Sequence, residues 1–90
     1  MNNARRKELK IALTQAEEIK VNLDCIQEIL ESCIGEEQDC YDNLPEGLQE
    51  GEKGDRMQEA IDSLDDAINS LDDIRDDIDS LIEQIENARE

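Results

Sequence analysis

Ninety residues carry a formal net charge of −17, with 39% of positions charged, one aromatic residue (Tyr41) and no His, Trp or Phe. A chain this short buries only a modest share of its surface unless it oligomerises, and a surface this negative repels nucleic acid and anionic membrane. The composition therefore argues against direct nucleic-acid binding, against an aromatic-cored sandwich or barrel, and against any catalyst that relies on an imidazole base.

The acidity is uneven. Residues 1 to 40 hold five basic and nine acidic groups, residues 41 to 54 one and four, and residues 55 to 90 three and thirteen. Natural partners of such a chain are cationic. Met1 to Lys10 lacks the apolar core of a secretory signal, and no apolar run is long enough for a bilayer, so the expected location is the cytoplasm. Cys25, Cys33 and Cys40 cannot all pair within one chain, and their spacings of eight and seven fit no zinc pattern. Cys33 and Cys40 are expected to face inward as small reduced hydrophobes.

Arg5, Arg6, Lys7 and Lys10 crowd the beginning of the chain. Basic groups at a helix N-terminus oppose the macrodipole, so this end is expected to fray or to touch acidic groups on a neighbour, a nucleic-acid arm being the alternative. From there a heptad seam runs Leu9, Ala12, Ala16, Ile19, Leu23, Ile26, Leu30, Cys33, which predicts a helix over about residues 3–40. Leu9, Ala16, Leu23 and Leu30 take the a positions and Ala12, Ile19, Ile26 and Cys33 the d positions. Apolar residues off that seam, Ile11, Leu13, Val21, Cys25, Ile29 and Ile34, predict a second interface, because large apolar patches on monomers usually mark contact sites.

Residues 41 to 54 contain the only Pro and three of the four Gly and read as the connection. Leu44 precedes Pro45 and is pushed out of helical conformation. Tyr41, Leu44 and Leu48 form an apolar set suited to covering the end of a bundle, a partner-binding loop being the alternative. The second helix, about residues 55–89, starts at Gly51 with Glu52 in its first turn, or at Asp55, where Asp55 and Gln58 have capping-box spacing. Its seam alternates steps of four and three from Ala60 to Ala88, with Leu64, Leu71, Ile78 and Ile85 at a and Ala60, Ala67, Ile74, Leu81 and Ala88 at d. Ile61, Ile68 and Ile82 widen it at e, as in a helix that touches two neighbours. The fold expected is all-α: a single domain over residues 1–90, an antiparallel helical hairpin that dimerises into a four-helix bundle, with Ile11, Val21, Cys25, Ile29, Ile61, Ile68 and Ile82 at the oligomer interface.

The segment Asp42-Asn-Leu-Pro-Glu-Gly-Leu-Gln49, continued through Gly51-Glu-Lys-Gly-Asp-Arg-Met-Gln-Glu-Ala-Ile-Asp62, resembles small uncharacterised acidic proteins of bacteriophages and prophages. These join a D-N-L-P-E-x-L-Q turn to acidic repeats of the form D-x-L-E-E-A-I. The resemblance covers roughly residues 41 to 75. It implies no catalytic activity and suggests a phage setting, in the host cytoplasm, where small acidic proteins often inhibit host systems.

No reacting constellation is legible. A cysteine nucleophile would lack its usual base, and the glycines match neither phosphate-binding motif. The carboxylates lack the Glu-x-x-His of a di-iron bundle and the glycine of an EF-hand. No enzyme activity, cofactor or dedicated metal site is expected. What remains is an anionic face turned outward at b, c and f: Asp62, Asp65, Asp66, Asp72, Asp73, Asp76, Asp77, Asp79 and Glu83, with Glu86 beyond. Thirteen acids over thirty-six residues give one charge per roughly 4 Å of helix, or about 2 Å in a dimer, against about 1.7 Å in duplex DNA. The expected function is a non-enzymatic inhibitor presenting a nucleic-acid-like acidic surface to a basic host protein. The alternative is a coiled-coil assembly module that binds another helical protein, with the acids serving only solubility.

Overall fold

The computed structural model describes residues 1–89. Three helices and no strand occur among them: α1 (Asn3–Asp42), the single turn α2 (Glu46–Gln49) and α3 (Glu52–Ala88). Among the described residues no helix is long and apolar enough to cross a membrane.

α1 does begin in the basic segment, because Asn2 caps it. The Asn2 side-chain oxygen accepts from the Arg5 N–H at 2.9 Å, the N-cap to N3 bond that satisfies one orphan donor. The helix passes through Gly35, whose missing side chain faces open space, and stops at Asp42, shortly before Pro45. Pro45 (φ −57°, ψ 146°) then caps α2, its carbonyl accepting from the Leu48 and Gln49 N–H groups at 2.9 and 3.0 Å. α3 starts at Glu52, directly after Gly51, the earlier of the two starts expected, with the Gly51 carbonyl accepting from Asp55 at 3.1 Å.

The chain divides into two compact units. The first joins Met1–Cys25 to Leu71–Glu90. Arg6 meets Arg89, Lys20 meets Asp79 and Asp24 meets Arg75. The partner number falls as the first number rises, so the two segments run antiparallel. Leu13, Ala16, Leu23 and Leu71 are buried here, with Leu9, Ile78, Ile82 and Ile85 half-buried beside them.

The second unit is Ile26–Ser70. Ile61 is buried and Leu30, Ile34, Tyr41, Leu44, Met57, Leu64 and Ile68 are half-buried. Gln49 donates from its side-chain amide to the Tyr41 carbonyl at 2.9 Å, tying α2 to the end of α1. Gly54, in the first turn of α3, is itself buried. A Cβ there would lie 2.6 Å from the Gln49 carbonyl carbon and 2.8 Å from its Cα, so only glycine lets the two backbones approach this closely. Tyr41 and Leu44 are half-buried, whereas Leu48 stays 48% exposed.

Both helices bury the a and e positions, not a and d. In α1 the sheltered residues step Leu9, Leu13, Ala16, Lys20, Leu23, Gln27, Leu30, Ile34; in α3 they step Met57, Ile61, Leu64, Ile68, Leu71, Arg75, Ile78, Ile82, Ile85. The a set matches the seam expected, and the other half of each seam is rotated by one residue. Ile19, Ile26, Ile74 and Leu81, all at d, are consequently 43, 44, 42 and 41% exposed.

The expectation of inward-facing cysteines is overturned for the same reason. Cys33 and Cys40 are d residues and Cys25 a c residue, and all three thiols are exposed. Leu13, Ile34, Ile61, Ile68 and Ile82, expected on an outer interface, sit in the chain's own a/e seam.

Candidate functional site: an acidic arc and an uncharged side

Within the first unit the rotated seam places two cations at e, Lys20 and Arg75, and each reaches sideways to an acid at b. Lys20 Nζ lies 2.6 Å from Asp79, and Arg75 donates to Asp24 at 2.9 Å and to Asp72 at 3.3 Å. Their aliphatic stems remain over the seam while their heads reach the edge. The Asp79 carboxylate, by hydrogen bond and by charge, holds the Lys20 ammonium above the ordinary lysine value of 10.5. The pairs are reciprocal, since the e cation of each helix grips the b acid of the other. One edge of this unit is thus the ion-paired b edge, which leaves the d residues of both segments on the opposite edge.

The outward acids follow from that arrangement. From Asp62 to Asn87, nine of the twelve b, c and f positions of α3 are Asp or Glu, and all nine are exposed. Asp62, Asp65, Asp66, Asp72, Asp73, Asp76, Asp79 and Glu83 belong to this arc together with Glu86. Asp72 and Asp79 are partly neutralised by Arg75 and Lys20. Asp77 stands apart at g, also exposed.

The d and g positions contrast with the arc. From Ala12 to Cys33 none of the seven d and g residues of α1 is charged, and from Ala60 to Ala88 only Asp77 of nine in α3 is. In a chain that is 39% charged, about six of sixteen would be charged by chance. Ile11, Val21 and Ile29 are 61, 61 and 62% exposed, at c, f and g, with exposed Cys25 at c, so these four do not form one stripe.

The basic residues at the beginning of α1 close on the end of α3. Asn3, Arg6, Lys7, Lys10 and Arg89 line an open cleft of about 220 Å³, where Arg6 Nε donates to the Arg89 carbonyl at 3.0 Å. Among the described residues no three His, Cys, Asp or Glu side chains converge as a metal site would require. What the surface offers chemically is segregated charge: an anionic arc, an uncharged apolar side and a small cationic end. No protein-family model, curated protein or solved structure matches the chain.

Proposed function

We propose that this chain is a non-enzymatic, phage-type protein-binding inhibitor: an antiparallel helical hairpin, paired with a second copy, that presents the acidic arc of α3 to a basic surface on a host defence or nucleic-acid-binding protein. The observation that carries the reading is the density and exposure of the acids at b, c and f from Asp62 to Glu86. Complementary potentials of this kind accelerate encounter and exclude like-charged competitors. A surface whose charge spacing approaches that of a nucleic-acid backbone competes for the same basic groove.

The test is a pull-down from host lysate at low and high salt with the full chain as bait. Basic nucleic-acid-binding proteins should be retained at low salt, released at high salt and displaced by duplex DNA. Changing Asp72, Asp73 and Asp76 together to Asn should weaken retention while the helical signal persists; unchanged retention would sink the proposal.

A second reading, an assembly module that engages another helical protein, is favoured by the uncharged d/g side. Under it, a salt-resistant helical partner would be recovered, the Asn set would bind normally, and polar changes at Ile26, Ile29 or Ile74, which lie at d and g, would abolish binding.

A further inference from the structure

We infer that the uncharged d/g side, and not the scattered apolar residues at c and f, is the surface on which a second copy of this chain docks. The inference rests on the dimer proposed above and specifies its contact.

Within the first unit, Ala12 and Ile19 on α1 and Ile74 and Leu81 on α3 share the edge opposite the two reciprocal ion pairs. The three isoleucine and leucine side chains are 41 to 43% exposed, neither buried by the chain nor fully abandoned to water. Gln15, Asn22 and Gln84 border them, with Asp77 the one charged neighbour at g. The second unit repeats the pattern by itself, with Ile26 at 44% exposure, exposed Cys33 and Ala60, and Ser63 and Ser70 alongside. Charged residues return at the helix ends, as Arg5, Glu8, Glu36, Lys53 and Arg56. Depletion of charge at the centre with charge at the rim is the compositional mark of a protein interface.

Charge selects the occupant. A cationic partner is drawn to the nine acids of the arc and finds Asp77 as the one counter-charge among the sixteen central d and g residues. A partner that docks here must itself offer an uncharged apolar contact, and this same surface on another copy does so. Two chains of −17 repel, yet contact through d and g turns their acidic arcs away from each other. With helices spaced about 8–10 Å apart, arcs on opposite sides of a four-helix bundle are about 20 Å apart. At physiological salt the screening length is about 8 Å, so the repulsion across the bundle is largely suppressed. Docking through the b edge would instead bring the acids together. Alanine and serine along d and g allow close helix approach.

Two measurements on the full chain test this. In sedimentation equilibrium at micromolar concentration the wild type should be dimeric. Ile19→Gln with Leu81→Gln should weaken the dimer roughly a hundredfold with helical circular dichroism retained, and Ile11→Gln with Val21→Gln should leave it intact. Site-resolved alkylation of the unmodified protein needs no variant. On raising its concentration through the dimerisation range, Cys33 at d should slow by roughly tenfold while Cys25 at c should not. A monomeric wild type would overturn the dimer and this contact together. A dimer that protects Cys25 and not Cys33, or that survives the Ile19 and Leu81 changes but not those at Ile11 and Val21, would overturn this contact alone.

Discussion

Gly35 and Gly54 both lie inside helices, and the same substitution should have opposite effects at the two. Helical Gly→Ala is normally favourable by roughly 0.5–1 kcal/mol, because alanine loses less backbone entropy on folding. At Gly35 nothing lies within 4 Å of the added methyl, so Gly35→Ala should raise the unfolding free energy by an amount in that range, and the urea midpoint with it. At Gly54 the methyl would overlap the Gln49 backbone, which cannot swing aside like a side chain. Gly54→Ala should destabilise by about 1–3 kcal/mol, as overpacking of a close contact does. Urea titration of both variants checks the pair. A stabilising Gly54→Ala would show that the α2–α3 contact relaxes freely.

At the scale of the helices, the reciprocal pairs at the b edge act on alignment more than on stability. Asp24 and Arg75 are side chains with 70% and 22% exposure, and exposed pairs of this kind typically measure about 0.2–1 kcal/mol. A double-mutant cycle with Asp24→Asn and Arg75→Met should give a coupling in that range that shrinks as salt is added. Lys20 adds a pH signature. Its folded value is raised above 10.5 by Asp79, so its contribution is complete at neutral pH. That contribution is lost only as pH rises through the raised value, and Lys20→Met should flatten the stability profile in that alkaline range. These pairs also explain what could and could not be read from the chain. The heptad rhythm made two long helices and the a residues legible. The choice between d and e was not, because α1 offers Ile19 and Ile26 at d against Lys20 and Gln27 at e. Hydrophobicity favours d there. The e choice is intelligible only across the two helices, where α3 supplies Ile61, Ile68 and Ile82 and where each e cation finds a b acid on the other segment. The exposed thiols follow from that one-residue rotation. The acidic arc, by contrast, was legible at every residue but Asp77, which falls at g, since b, c and f face outward under either seam.

For the whole molecule, the net charge of −17 makes self-repulsion a standing cost, since charge far from zero destabilises the compact state. Raising sodium chloride from 0.01 to 0.15 M shortens the screening length from about 30 to about 8 Å. The melting temperature should therefore rise with salt, although the ion pairs weaken over the same range. Replacing Asp73 and Asp76 with Asn should reduce that salt dependence, as measured by thermal circular dichroism. A melting temperature that falls with salt would mean that the b-edge pairs outweigh the repulsion.

The division into units has a kinetic consequence. Ile26–Ser70 is contiguous in the chain, closed by the short connection around α2, whereas the other unit must bring Met1–Cys25 back against Leu71–Glu90. Closing a loop costs entropy that grows with its length, so the contiguous unit should form before the one built from the two chain ends. Folding should nucleate around α2, where Tyr41, Gln49 and Gly54 meet, and zip outward, with opening proceeding in reverse from Arg6 and Arg89.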